Sequence, residues 1–160
     1  METLQDRLCA ELDVLRETRN IYYQILPDDA VLPYKEKWLQ AFLPADSYTQ
    51  QASAYDLCLC NQAYLWHIFS FDVLKSEDHP DEKFSALYKG DCTLFLSGTK
   101  EVVVRLFAAG ELTKQDVEGL CARVFGWSDF VITADDFSWT YACTHERYLG
   151  PYFYRKGLKT

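Results

Sequence analysis

Asp136-Phe137-Ser138-Trp139-Thr140-Tyr141-Ala142-Cys143-Thr144-His145-Glu146, followed by Gly150-Pro151-Tyr152-Phe153-Tyr154, is the stretch whose reading decides the fold. Trp139, Tyr141, Cys143 and His145 alternate with Ser138, Thr140, Ala142 and Thr144. Alternation with a period of two marks a β-strand, because successive side chains point to opposite faces of a sheet. The pattern predicts a strand over 138–145 with one aromatic and one small polar face, delivering His145 and Glu146 to its end. Just upstream, Phe130 to Thr133 has the same strand character, and Ala134-Asp135-Asp136 supplies a turn, giving a terminal hairpin. Gly150-Pro151 predicts a second turn that brings Tyr152 to Tyr154 back over the sheet.

Moving outward, the segment from Lys114 to Phe125 reads as a helix. Val117, Leu120, Cys121 and Val124 follow the i, i+3, i+4, i+7 rule, Thr113 and Asp116 have N-cap and N3 spacing, and Gly126 ends it. Leu4, Leu8, Leu12 and Leu15 also repeat at helical spacing, which predicts one long amphipathic helix from about Thr3 to Ile25, stopped by Pro27. A short helix follows Pro33, with Trp38, Ala41 and Phe42 on one face and Pro44 as its stop. A third helical stretch runs from Pro80 to Gly90 with Phe84, Leu87 and Tyr88 as its buried stripe. Cys92 to Leu96, Tyr55 to Cys60 and Ala63 to Phe71 have strand composition, with Asp46 to Ser53 a loop and Asn61-Gln62 a turn. For Glu101 to Ala109, the run Val102-Val103-Val104 favours a strand, but Val103, Leu106 and Phe107 with Gly110 beyond fit a helix, and helix is the expectation. The sum is a single α+β domain over residues 1–160, with a mainly antiparallel sheet of about five strands and four or five helices.

The 160 residues are 49% hydrophobic and 16% aromatic, enough to bury a core without metals or disulfides. A net charge of −8 argues against nucleic acid as a partner, since phosphate binding is built from surplus Lys and Arg. Arg147, Arg155, Lys156 and Lys159 form a basic tail that reads as a solvated terminus. The first residues carry acids where an export signal has a basic region, and no apolar run reaches membrane-spanning length. The expectation is therefore a cytoplasmic protein with no membrane partner. Its six cysteines, Cys9, Cys58, Cys60, Cys92, Cys121 and Cys143, should be reduced and mostly buried. The Leu4 to Leu15 stripe suits a monomer as well as a weak homodimer.

The strings Leu65-Trp66-His67-Ile68-Phe69-Ser70, Phe137-Ser138-Trp139-Thr140, Thr144-His145-Glu146 and Gly150-Pro151-Tyr152-Phe153 resemble those of a family of small bacterial proteins known only as a domain of unknown function. The resemblance runs from about Lys35 to Tyr154 and leaves the N-terminal helix, residues 1–26, outside. It implies a bacterial cytosolic protein with the two Trp/His segments as hallmarks, and it carries over no catalytic residue. Arg147-Tyr148-Leu149, between His145-Glu146 and Gly150-Pro151, is a spacing that departs from the pattern.

Two chemistries compete at these segments. If the strands bearing His67 and His145 are neighbours, both imidazoles converge with Glu146 on a metal or acid/base site, with Cys143 or Asp72 as a further ligand and Asp72 or Asp136 as an orienting carboxylate. No His-Glu-x-x-His, Cys-x-x-Cys or glycine-rich phosphate loop occurs, and Cys58-x-Cys60 is a nonspecific spacing. Histidines in aromatic strands are more often hydrogen-bonded structural residues, so no cofactor is expected. A Cys143–His145 dyad is discounted, because residues i and i+2 on a strand stand roughly 7 Å apart. Trp66, Trp139, Tyr141 and Tyr152 are candidates for a stacking or binding surface, against the alternative that the tryptophans pack sheet against helix.

The functional expectation is a noncatalytic protein-binding or immunity-like regulatory module whose acidic surface meets a basic protein partner. The alternative is a small metal-dependent or acid/base hydrolase using His67, His145 and Glu146.

Overall fold

The computed structural model describes residues 2–43, 65–70, 74–146 and 148–156. Its centre is a six-stranded, fully antiparallel sheet in the order β1-β3-β2-β4-β5-β6. The strands are β1 (Tyr22–Ile25), β2 (Cys92–Ser97), β3 (Glu101–Phe107), β4 (Phe130–Ala134), β5 (Trp139–Cys143) and β6 (Tyr152–Arg155). Five helices are described: α1 (Leu4–Arg19), α2 (Val31–Phe42), α3 (His67–Ser70), α4 (Pro80–Ala86) and α5 (Lys114–Phe125). The α+β expectation holds, with one strand more than anticipated.

The terminal hairpin forms as the alternation predicts. Phe130 pairs with Cys143 and Thr133 with Thr140. The turn closes with Phe137 donating its N–H to Ala134 O at 2.9 Å. Phe137 has φ of +58°, a conformation costly for a side chain of this size. Its ring stands 6.2 Å from both Tyr34 and Phe42, so tertiary packing holds it there. The strand stops at Cys143, two residues short of the expectation. The segment after Gly150 joins the sheet edge as β6, paired with β5, instead of folding back over it.

Helices cover both faces. On the first face α1 and α5 place Leu8, Leu12, Leu15, Val117, Leu120 and Val124 against Leu94, Val104, Ile132 and Tyr141. On the second face α2, α3 and the turn before α3 place Trp38, Leu39, Phe42, Trp66 and Ile68 against Phe95, Val103, Val131 and Ala142. The small face of β5 has a physical cause: the Trp38 indole fills that space. Its Nε1 donates to Thr133 Oγ1 at 3.0 Å and Thr140 Oγ1 at 3.2 Å, and the two hydroxyls are 2.9 Å apart.

Four expectations need correction. The first helix ends at Arg19, not Ile25, because Asn20 takes a left-handed conformation (φ 57°, ψ 32°) that caps it. The β-prone Tyr22-Tyr23-Gln24-Ile25 then pairs with β3. Residues 101–107 form a strand, not a helix. Val102 and Val104 face one helical layer and Val103 the other, and a strand buried on both faces reads as a continuous apolar run. Leu65 to Ser70 form a turn and the short helix α3 in place of a strand. The third helical stretch stops at Ala86, leaving Tyr88 82% exposed instead of buried. The helix over 114–125 has the boundaries expected, with a reciprocal Thr113–Asp116 capping box and Gly126 at φ of +90°. The readings for 46–53, 55–60 and 61–62 lie outside the described residues.

Candidate functional site

The sheet presents two ends. At the end where β5 finishes, His145 follows Cys143 by two residues, and the Asp129 side chain beside it is fully buried. Asp129 accepts twice from His145: the backbone N–H reaches Oδ1 at 3.0 Å, and ring Nδ1 stands 2.5 Å from Oδ2. The opposite ring nitrogen, Nε2, is 3.4 Å from Glu146 Oε1, and the Trp127 ring centroid lies 6.3 Å from that of His145. A buried carboxylate on Nδ1 fixes the imidazole's orientation and turns Nε2 outward, the arrangement that general acid/base chemistry uses.

The structure thus joins His145 and Glu146, and adds Asp129, which the sequence reading missed. The hairpin register contained the signal. One step beyond the Phe130–Cys143 pair, Asp129 stands across from Thr144 and next to His145. Asp136, an expected orienting carboxylate, is instead at the opposite end of β5, on the order of 20 Å away at strand rise. It caps the turn, accepting from Ser138 N–H at 3.0 Å, and hydrogen bonds from the Ser138 side chain and then its backbone hold the carboxyl below the usual range. His67 opens α3 in the second layer, not a strand beside β5; its side chain, like Asp72, lies outside what the structure describes. Among the described residues no group of three or more His, Cys, Asp or Glu is placed to hold a metal ion.

The remaining candidates are distributed over both faces. Trp139 and Tyr141 are buried in the first layer, and Trp66 in the second. Tyr152 is half-buried, its ring stacked 4.9 Å from Phe69. Trp139 meets Phe84 edge-on at 6.1 Å, and Tyr141 stacks on Phe84 at 4.3 Å while its hydroxyl donates to Asp81. Burial pushes the Tyr141 hydroxyl far above its ordinary pKa and the Cys143 thiol up to about 11, so both stay protonated at neutral pH. Cys92, Cys121 and Cys143 are buried free thiols and Cys9 is half-buried; Cys58 and Cys60 lie outside the described residues.

At the other end of the sheet, a cleft of about 330 Å³ opens between the β4–β5 turn and the segment leading into β2. Asp91, Asp135 and Asp136 rim it, Tyr88 stands exposed beside it, and Lys89 and Trp139 line it. Asp135 pairs with Arg105 at 2.8 Å, and Asp91 accepts from Ala108 N–H at 3.0 Å. No described helix is long and apolar enough to cross a membrane.

One family model, described as a domain of unknown function (DUF4275), matches residues 15–153. The match begins well before Lys35, so it takes in the end of α1 and all of β1. No curated protein and no solved structure matches the chain.

Proposed function

Because the chain belongs to the DUF4275 family, whose description assigns no reaction, we propose a function from its surface: a noncatalytic, immunity-like or regulatory binding module of the bacterial cytoplasm that engages a basic protein. The observation that carries this reading is the sheet end where Asp91, Asp135 and Asp136 surround a cleft beside a Tyr88 that is 82% exposed. An exposed tyrosine supplies rigid contact area and a π-face for a partner's Lys or Arg, while the carboxylates and the net charge of −8 speed encounter with a positive surface. The test is capture from the native host at low salt, read by mass spectrometry. One basic protein should be retained by the wild type and weakened about tenfold or more by Tyr88→Ala with Asp136→Asn, the scale of an interface anchor. Retention of no basic protein, or capture indifferent to both substitutions, overturns the reading.

A second reading, an acid/base hydrolase, is favoured by the Asp129–His145–Glu146 arrangement, with His67 as its further candidate. Elemental analysis and a panel of chromogenic ester and phosphoester substrates test it. Turnover lost in His145→Ala and strongly reduced in Asp129→Asn, with both variants folded, supports it. A metal-free protein without turnover on the panel counts against it.

A further inference from the structure

At the end of β2 and β3 remote from the Tyr88 cleft, three parts of the chain leave an open cavity of about 290 Å³ between them. Leu4 and Leu8 from the first turns of α1, Ile25 and Leu26 where β1 ends, and Val102 from β3 form its apolar walls. Leu8 and Val102 are buried, whereas Leu4, Ile25 and Leu26 are only partly covered. The remaining wall is charged. Lys100, from the β2–β3 turn, holds its ammonium 3.2 Å from the carboxylate of Asp28, which opens the short helical turn Asp28–Ala30. Gly98 N–H donates to Lys100 O at 3.1 Å and fixes that turn.

We infer that this cavity binds a free α-amino acid with an apolar side chain, its carboxylate on Lys100, its ammonium on Asp28 and its side chain between Leu4, Leu8, Ile25 and Val102. The charges decide the class. An α-amino acid carries an ammonium and a carboxylate one carbon apart, and the cavity offers the two opposite charges in direct contact, so each ligand charge meets its complement. A fatty acid would satisfy Lys100 but set its carboxylate against Asp28, and an alkylamine would do the reverse. A neutral hydrocarbon gains nothing from either. The exchange of partners costs little, because Lys100 and Asp28 are both exposed and an exposed ion pair contributes little to stability.

The apolar walls decide the side chain. An isobutyl or benzyl group displaces water from aliphatic surface, which glycine cannot do and which the charged ends of glutamate or lysine oppose. The volume sets the size: about 290 Å³ lies at the lower limit of the roughly 300–1,000 Å³ of small-molecule sites, suiting a ligand no larger than one amino acid.

The inference goes beyond the partner reading and does not rest on it, since this cavity and the Tyr88 cleft share no residue. The experiment is calorimetric titration of the full chain with L-leucine, glycine, isocaproate and isoamylamine, the last two being leucine without its ammonium and without its carboxylate. Leucine should saturate one site, binding about tenfold or more tighter than glycine and about fivefold or more tighter than either single-charge analogue. That comparison needs no variant. Lys100→Met should weaken leucine and isocaproate about fivefold or more without weakening isoamylamine, and Asp28→Asn should weaken leucine and isoamylamine without weakening isocaproate. No saturation by leucine up to about 10 mM, glycine binding as tightly as leucine, or leucine affinity indifferent to both substitutions overturns the inference.

Discussion

The two helical layers cover the same sheet by different means. The layer of α1 and α5 uses periodic aliphatic stripes on helices that both start with a reciprocal capping box, whereas the layer built on α2 relies on aromatic rings, with Trp38 oriented by its hydrogen bonds to Thr133 and Thr140. Aliphatic burial has no direction, so the first layer requires only the right period and volume. A buried indole must also place its N–H, so the second layer depends on two threonines from two different strands.

Substitutions at the centres of the layers test this difference. Trp38→Ala should be the most damaging change, at about 3–5 kcal/mol, since it opens a large cavity and strips a shared donor from two buried hydroxyls. Leu12→Ala in the first layer should cost about 2–5 kcal/mol, in the lower part of that range if α1 can settle inward. Urea unfolding of both variants makes the comparison. If Leu12→Ala proves the more damaging, the anchoring role assigned to Trp38 fails. Trp38→Phe sharpens the point: it keeps the ring but not the N–H, leaving the threonines bonded to each other, and should cost about 1–3 kcal/mol.

A smaller effect is expected where the β2–β3 hairpin meets α5. A Cβ on Gly98 would overlap the Phe125 ring at Cδ1, so Gly98→Ala must displace a buried ring at about 1–3 kcal/mol. Thermal melts of Gly98→Ala alone and combined with Phe125→Leu check it, and the double variant should recover part of the loss. Thr113→Ala removes the α5 cap and should cost about 1 kcal/mol. An equal loss from Thr3→Ala at the more exposed start of α1 would break the expectation that caps matter most where a helix end is packed.

The smallest effect is one of pH. The folded state lowers the Lys89 pKa below its ordinary 10.5, so between the two values the unfolded chain binds more protons and this group makes stability rise with pH. Below the folded pKa, the cost of burying the charge is fully present. Lys89→Met should therefore gain on the wild type most at neutral pH, with the advantage fading as pH nears 10.5. An advantage that grows with pH would show the sign to be wrong.

Legibility from sequence followed periodicity and locality. The helix over 114–125 and the terminal hairpin carry their own period and caps or turn; the helix has the expected bounds, and the hairpin forms with its second strand ending at Cys143 instead of His145. The 101–107 strand misled because a strand buried on both faces loses its alternation, and Val103, Leu106 and Phe107 then mimic a helical stripe. Tyr22 to Ile25 was read into α1 because the Asn20 stop depends on a left-handed residue that is not glycine. For the candidate site, His145 and Glu146 were visible as a polar pair after an aromatic strand. Asp129 was not, since its pairing crosses the hairpin, and the Lys89 cleft joins residues more than 40 positions apart.

By itself the sequence determined the fold class, the single domain's aromatic core, the acidic charge and the capped helix, since composition and short-range spacing fix these through local propensity and burial. Only the tertiary structure decided which aspartate holds His145, why one face of β5 is small, and that Lys89 is buried against the Phe84 ring. Those are long-range facts: they follow from strand register and from which helix lies on which face, and neither is written in any short run of residues.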